Sequence, residues 1–393
     1  MGIETEPRKA LTVGQELALL RAAYAKLPTP ASRGRLTKLL MHDDRQDEVI
    51  ALLENAPSLN IHEEFDLAHA YLSRETREDD EKAFRAANRA LDLAESDAAR
   101  ASALAMRGKC ETRLGQRELA LATLRQALSL DPHNKDACKR IAAIEVAAGR
   151  SDKVLALTDA LFAQGVGHAR VFGAQVLAHA KAGDIEAARH AEGFDQLHQK
   201  RTLAPPPGWA SIAAFNAALA EELLVHPDTR YERYGSASAF TWRIENPSRS
   251  DTPLFNALVA QIRESLEEQV AALAGSDHRW AAYRPDHARL RIWCVITEGN
   301  GHETWHVHQF GWLSGVYYVS VPDEIAQGQD RKGCLSFGLP DDILGAEIAA
   351  AYGERIVRPQ GGMLLTFPSH TYHRTYPHEG QGKRICVAFD LQA

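Results

Sequence analysis

The sequence has few cysteines and no C-x-x-C pair. Its five cysteines are scattered over 393 residues, at Cys110, Cys138, Cys294, Cys334 and Cys386. An odd number without a paired spacing suits neither a disulfide framework nor a zinc knuckle. We therefore expect free thiols in a reducing compartment.

Long apolar runs and an excess of basic residues are also missing. No apolar stretch approaches the roughly 18 residues of a membrane-spanning helix. The net charge is −7, whereas nucleic acids and anionic membranes are bound by basic surfaces. The first residues show no signal peptide, and Glu6 stands where a myristoylation signal needs Ser or Thr. We expect a soluble cytoplasmic protein with no nucleic-acid or membrane partner.

Tryptophan is missing from the first half of the chain. All six tryptophans lie at or after Trp209, while the preceding half is rich in Ala, Leu, Arg and Glu. The segment Ala204-Pro-Pro-Pro-Gly208 cannot be a helix interior. The predicted domains are N-terminal helices of uncertain register (1–60), helical repeats (61–200), a Pro-rich linker (201–209) and a second domain (210–393).

A 34-residue period marks the first half as a helical repeat. Gly115, Gly149 and Gly183 are spaced 34 apart, and each lies between two helical patterns. This period, with glycine at the turn, predicts a tetratricopeptide (TPR) array. The clearest unit is 101–134, with Gly108 at a close-packing position of its first helix. Because such arrays supply a concave surface, we expect it to bind a protein partner or a polypeptide substrate.

The second half changes to short strands flanked by helices. Helical periodicity covers 212–224 and 253–274. The predicted strands after residue 285 are 288–297, 306–321, 333–338, 355–359, 362–367 and 383–391. Short strands separated by Gly/Pro turns favour a double-sheet jelly roll. The expected fold class is multidomain α + β, a TPR solenoid followed by a double-stranded β-helix domain with flanking helices.

Three histidines and an arginine stand out in this half. His306 and His308 begin a predicted strand, where side chains two apart point to one face and can converge on a metal ion. His373 follows 67 residues after His306, and Arg384 another 11 residues on. Imidazole is a good iron ligand, and a guanidinium matches a carboxylate and stays charged when buried. The pattern indicates a non-haem iron site in a β-barrel.

Other polar residues compete for roles at this site. Ser314, Tyr318 and Thr375 are lesser candidates for binding the same small acid as Arg384, although core packing suits Tyr318 better. Arg374 should point to the opposite face from His373. His370 and His378 are better explained as loop histidines. Three tryptophans could line the entrance of a substrate pocket, although such aromatic residues more often pack in the barrel core: Trp293, Trp305 and Trp312.

These motifs together resemble a known family. The run His306-x-His308-x5-Ser314-Gly-Val-Tyr-Tyr318, the run Phe367-Pro-x4-His373 and the strand opened by Arg384 resemble 2-oxoglutarate/Fe(II)-dependent oxygenases whose members often carry TPR arrays. The resemblance covers roughly 200–393. It implies Fe(II) on His306, His308 and His373, 2-oxoglutarate as co-substrate with Arg384 on its far carboxylate, O2 as the oxidant, and hydroxylation as the reaction.

The sequence departs from the commoner pattern of these enzymes at one ligand. Their facial triad is H-x-Asp/Glu…H, and His308 stands where the carboxylate would be. Either the site has three histidines, or a carboxylate such as Glu303 completes it. We favour three histidines because Glu303 precedes the predicted strand. Relatives also often have Ser where this chain has Cys386, which weakens the expected support of Arg384.

Two other classes of protein remain as alternatives. A cupin-type metalloprotein shares the barrel and the H-x-H…H ligands but uses no 2-oxoglutarate. It usually has Glu shortly after the second histidine, where this chain has Gly311 and Trp312. A non-enzymatic adaptor, with a binding TPR array and an inert barrel, is the other alternative.

Overall fold

Contacts group the chain into two units. We describe a computed structural model of residues 1–231 and 235–393. The helical unit is Leu11–Ala148, and the sheet unit joins Met1–Ala10 to Gly149–Ala393. Among the described residues, none of the helices is both long and apolar enough to cross a membrane.

The helical unit consists of helices joined by short turns. Thr29, Asn60 and Thr76 each precede a helix, and their side chains accept a hydrogen bond from a backbone N–H of the first turn. Its helices are α1 Val13–Lys26, α2 Pro30–His42, α3 Gln46–Glu54, α4 Ile61–Leu72, α5 Arg77–Asp92, α6 Asp97–Arg113, α7 Arg117–Leu130 and α8 Lys135–Ala147.

Small residues allow α6 and α7 to approach closely. A Cβ on Gly108 of α6 would lie 2.6 Å from the Leu124 side chain of α7. Ala120 and Ala127 of α7 are fully buried. Gly115, between the two helices, has a φ of +81°, which costs glycine least. The predicted TPR packing of this unit is confirmed.

The repeat continues into the sheet unit with α9 Ser151–Ala163, α10 Ala169–Lys181 and α11 Ile185–Glu192. Gly149 and Gly183 form their turns with positive φ values of 73° and 85°. Composition changes at the predicted linker 201–209, whereas the contact division falls after residue 148. The predicted domain limits therefore mark changes in amino-acid composition. Their use as domain boundaries stays a prediction.

The sheet unit contains strands that form two sheets. They are β1 Gly2–Thr5, β2 Gln199–Thr202, β3 Arg230–Tyr231, β4 Ser238–Glu245, β5 His287–Glu303, β6 Gly311–Ser320, β7 Leu335–Phe337, β8 Arg355–Val357, β9 Met363–Pro368, β10 His373–Thr375 and β11 Arg384–Gln392. The large sheet has the order β2-β9-β6-β11-β5-β4-β3, with β1 parallel to β5, and the small sheet has the order β10-β7-β8. The parallel strand β1 lies in a segment for which the sequence predicted helices.

Alternation along β11 separates a core face from a cavity face. Ile385, Val387 and Phe389 belong to the buried core, whereas Arg384 and the residues at 386, 388 and 390 line a cavity. The core face is covered by α12 Ile212–Leu224 and α13 Pro253–Ala272. The cavity is lined from both sheets, as a jelly roll requires.

Short helices complete the sheet unit. They are α14 Asp323–Ala326, α15 Asp341–Leu344, α16 Ala346–Tyr352 and two 3-10 turns at Leu273–Gly275 and Arg279–Tyr283. Helices in the first part and two sheets in the second confirm the predicted fold class.

Candidate active site

Three histidine rings meet at one end of the cavity. One nitrogen from each of His306, His308 and His373 lies within 4.8 Å of the others, the geometry of a group that could hold a metal ion. The Nε2 atoms of His306 and His308 are 3.3 Å apart. The sequence predicted these rings as ligands, and the fold brings them together from different strands and loops.

The backbone achieves this convergence by an isolated antiparallel bridge between His306 and His373, the first residue of β10. The backbone N–H of His306 donates to the His373 carbonyl at 3.0 Å, and the backbone N–H of His373 donates to the His306 carbonyl at 3.1 Å. His308 donates to the Ser369 carbonyl at 2.9 Å. The predicted strand 306–321 was wrong at its start, because this bridge takes residues 306–310 out of the large sheet and β6 begins at Gly311.

Each ring is oriented by an acceptor on its Nδ1 atom. The Nδ1 of His306 lies 2.7 Å from the Thr304 carbonyl, and that of His373 lies 3.0 Å from the Thr371 carbonyl. The Nδ1 of His308 lies 2.5 Å from Oδ1 of Asp390. Because Nδ1 carries the proton that these acceptors require, each Nε2 lone pair faces the cluster. Protein metal sites use the same arrangement around their histidines.

Burial keeps the imidazoles of His306 and His373 neutral. Desolvation, together with the electrostatic interaction with His308, lowers the pKa of His306 to about 3. Desolvation also lowers the pKa of His373 well below its usual range, with the other two rings adding to the effect. Neutral imidazoles are the form that binds a metal ion, so the chemistry of the donors fits iron.

Asp390 was missed by the sequence analysis. Burial would raise the pKa of its carboxyl, but the charge and hydrogen bond of His308 and the hydrogen bond of Ser314 outweigh burial and lower it. Ser314 donates to Asp390 at 2.7 Å and lies 2.6 Å from the hydroxyl of Ser369. Ser314, which we expected to contact the co-substrate, is fully buried and does not line the cavity. The sequence could have identified Asp390, because it lies an even number of positions after Arg384 on one predicted strand and so points to the same face.

Arg384 lies in the same cavity and is almost fully buried, with 1% of its surface exposed. Its Nη1 donates to the Gly333 carbonyl at 2.6 Å, and its Nη2 lies 3.3 Å from the Thr375 hydroxyl. Its Nε has no hydrogen-bond partner among the described residues. A buried guanidinium with an unused donor can accept an anionic partner, and a carboxylate matches its geometry.

Two other predicted residues line the cavity beside Arg384: Tyr318 and Thr375. Burial raises the pKa of the Tyr318 phenol, so the hydroxyl stays protonated and can donate a hydrogen bond. Cys386 also lines this wall, as the predicted alternation requires. The cavity measures about 220 Å³, well above the roughly 10–15 Å³ that one water molecule needs on the same measure.

The carboxylate proposed as an alternative ligand lies elsewhere in the cavity. Glu303 is not part of the cluster of three histidines. It accepts a hydrogen bond from the Ser238 hydroxyl at 2.7 Å, and burial raises its pKa. Arg243, also missed in the sequence, lines the same wall with its guanidinium 4.9 Å from the Trp293 ring.

The competing residues lie outside the cluster. His370 stacks on Phe172, and His378 lies 3.3 Å from the Thr297 carbonyl. Arg374 points away from the cavity and bonds Glu354 at 2.8 Å. Of the three tryptophans, Trp293 lines the cavity, Trp305 lies under the Arg374 guanidinium and Trp312 stacks on Trp280 in the core.

The fold and the site define a jelly-roll protein with a cluster of three histidines that could hold a metal ion. Comparison with known families gives two matches. Residues 291–390 match the family described as "Putative 2OG-Fe(II) oxygenase", and residues 111–178 match a tetratricopeptide repeat family. Both matches confirm the resemblance drawn from the sequence motifs. The cofactor set that it implied, Fe(II), 2-oxoglutarate and O2, is the set that this oxygenase family implies.

Solved structures give distant likenesses to the two parts. A Pseudomonas putida prolyl-4-hydroxylase is 14% identical, with 51% of this chain and 94% of that chain covered and a TM-score of 0.35. A Trichoplax adhaerens prolyl hydroxylase, solved with a peptide of hypoxia inducible factor, is 11% identical, with 49% and 83% covered and a TM-score of 0.35. A Thermus thermophilus TPR protein is 22% identical, with 39% and 82% covered and a TM-score of 0.32. No curated protein gives a significant match to the sequence.

Proposed function

We propose that the protein is a 2-oxoglutarate-dependent hydroxylase whose Fe(II) is held by His306, His308 and His373. The observation that carries the proposal is the convergence of the three imidazoles in the cavity that also holds Arg384. When bound, iron with 2-oxoglutarate and O2 supplies the oxidation that places one oxygen atom in a C–H bond and the other in succinate, with loss of CO2.

The side chains around the histidines prepare the site for a cation. Acceptors at the three Nδ1 atoms hold each ring in the tautomer that exposes Nε2. Three imidazoles bring no negative charge of their own. The carboxylate of Asp390, which holds the His308 ring, supplies one negative charge close to the cluster and makes that imidazole a stronger donor.

We propose that Arg384 holds the far carboxylate of 2-oxoglutarate. Its unused Nε and its burial favour a bidentate contact with a carboxylate, and the Tyr318 and Thr375 hydroxyls lie on the same wall as further candidates. Apolar side chains on the other walls, Leu335 and Phe367 among them, exclude water and so strengthen these polar contacts.

The TPR array is proposed to recruit a polypeptide substrate or a protein partner. Stacked repeats commonly present a concave binding surface, and the family match covers α7, α8 and α9 in full. Mass spectrometry of proteins captured on the full-length chain, followed by 2-oxoglutarate-dependent oxidation of those proteins, tests this role. Captured proteins that are never oxidised would favour a partner over a substrate.

Metal analysis with a succinate-release assay separates the proposal from its alternatives. Bound iron with 2-oxoglutarate-dependent succinate release is the expected result. Metal that is bound without any use of 2-oxoglutarate would favour a cupin-type protein. Absence of metal binding would favour a non-enzymatic adaptor.

Substitution of the ligands sharpens this test. His306→Ala and His373→Ala should abolish iron-dependent succinate release while the fold survives, because two imidazoles do not complete the site. His302→Ala, which removes a histidine outside the cluster, is the matched control. Succinate release that persists in either ligand variant would contradict the assignment.

A further inference from the structure

One helix of the repeat contacts both loops that carry the proposed ligands. Helix α10 lies in the sheet unit, and its first ten residues fall within the segment 111–178 that matches the TPR family. Its neighbours are the loop 306–310, which carries His306 and His308, and the loop 369–373, which ends at His373.

The first contact joins α10 to the loop 306–310. Arg170 donates two N–H groups to the side-chain oxygen of Gln309, from Nη2 at 3.0 Å and from Nε at 3.3 Å. Arginine has only donors, so the Gln309 oxygen must face it and the amide nitrogen must point elsewhere. Gln309 follows His308 directly and lines the cavity.

The second contact joins α10 to the loop 369–373. The ring of Phe172 stacks on His370 with centroids 4.9 Å apart, and both side chains are 1% exposed. A Cβ on Gly173 would already lie 3.8 Å from the His370 carbonyl, so helix and loop are in close contact. The flanking carbonyls of this loop, at 369 and 371, accept the hydrogen bonds that hold His308 and His373.

From these contacts we infer that Arg170 is a positioning residue of the metal centre, acting through Gln309 on the loop that carries His306 and His308. The inference rests on the proposed function, because it concerns the ligands of the same metal. A repeat helix then does more than offer a surface: it fixes the spacing of the imidazoles. Losing a group that orients a ligand typically costs about 10- to 100-fold in metal affinity.

Metal titration of the full-length protein tests the inference without any activity assay. Co(II), which binds the same kinds of ligand as Fe(II), serves as the probe. For Arg170→Ala we expect the dissociation constant of Co(II) to rise about 10-fold. This is the lower end of the usual range, because Arg170 acts on the ligands indirectly. We expect Arg170→Lys, which keeps the positive charge but offers a single donor nitrogen, to fall between this variant and the wild type. Lys153→Ala, on the neighbouring α9, removes an exposed cation and should leave the affinity unchanged.

A double-mutant cycle supplies the second measurement. Gln309→Ala breaks the same contact from the loop side, so Arg170→Ala combined with Gln309→Ala should bind Co(II) no more weakly than the worse single variant. Hydrogen exchange of the metal-free Arg170→Ala protein should speed up at residues 306–311 and not in α12 or α13. If Arg170→Ala does not fold, Gln309→Ala and its exchange pattern decide the question.

The outcomes separate this inference from the function on which it rests. Wild-type protein that binds Co(II) while Arg170→Ala binds it equally well would overturn the positioning role and leave the proposed function intact. Independent, additive losses in the cycle would also overturn it. Wild-type protein that binds no Co(II) would overturn the proposed function and the positioning role together.

Discussion

At the scale of single residues, Asp390 is a buried carboxylate that forms a hydrogen bond with the proposed ligand His308. It is not itself a member of the histidine cluster. It accepts from the His308 ring at 2.5 Å and from Ser314 at 2.7 Å. Its lowered pKa keeps it ionised at neutral pH. If the three imidazoles hold a metal ion, the negative charge of Asp390 lies next to one of its ligands in place of a carboxylate ligand, and this role can be tested by removing the charge alone.

We predict that Asp390→Asn weakens metal binding by about 10- to 100-fold, since the amide can still accept a hydrogen bond from His308 but carries no charge. Calorimetric titration with Co(II) measures the change. Asp342→Asn, at an exposed position of α15, is the matched control and should bind as the wild type does. An unchanged dissociation constant for Asp390→Asn would mean that its charge does not support the metal.

Arg384 leads to a prediction about the co-substrate. Truncating one partner of a buried charge pair costs about 2–5 kcal/mol, so Arg384→Ala should raise the 2-oxoglutarate concentration for half-maximal turnover at least about 30-fold. Metal affinity should change much less, because Arg384 does not contact the histidines. The comparison variant is Arg374→Ala, whose guanidinium lies outside the cavity. Equal 2-oxoglutarate requirements in the two variants would remove Arg384 from the site.

At the scale of elements, helices α6 and α7 pack closely at Gly108, where a larger side chain would clash. A Cβ on Gly108 would lie 2.6 Å from the Leu124 side chain, which is itself fully buried. By contrast, a Cβ on Gly34, within α2, would meet nothing within 4 Å. The two glycines therefore allow the cost of tight packing to be separated from the general cost of glycine in a helix.

We predict opposite effects of alanine at these two positions. Gly108→Ala should destabilise the helical unit by about 1–3 kcal/mol because it forces the helices apart. Gly34→Ala should stabilise it by about 0.5–1 kcal/mol because it removes the entropic cost of glycine. Urea unfolding followed by circular dichroism measures both. If both substitutions stabilise the protein, or if both destabilise it, the close-packing explanation is refuted.

At the scale of the whole molecule, the chain has a helical unit and a sheet unit, and the site lies within the sheet unit. The histidines and Arg384 all come from residues after 300. Three repeat helices, α9 to α11, also belong to this unit. A metal ion should therefore act on the stability of one unit, although both units contain repeat helices.

We predict that Co(II) protects the sheet unit and leaves the helical unit unaffected. At 100 times its dissociation constant, a ligand bound only by the folded state adds about 2.7 kcal/mol. Hydrogen exchange should slow in β10, β11 and α10, and it should be unchanged in α4 to α7. His373→Ala should remove the protection. Protection that extends equally to α4–α7 would contradict a site confined to the sheet unit.

Local patterns were enough to predict much of this architecture. The 34-residue glycine period predicted the turns at Gly115, Gly149 and Gly183, because a positive φ is a local requirement. The helix 212–224 was predicted at its observed limits, since one apolar face repeats along it. The prediction failed for the start of β6, where a bridge to a residue 67 positions away replaced the expected pairing.

Periodicity and motif spacing are properties of the chain, so they predicted the repeat and the strands after residue 285 other than β10, and they nominated the imidazoles and the guanidinium of the proposed site. Three contacts became visible only in the folded chain: Asp390 bonds the His308 ring, Ser314 donates to Asp390, and Arg170 donates to Gln309. These contacts join residues 76 to 139 positions apart. The distance between such residues is set by how strands and helices pack, and no local pattern encodes it.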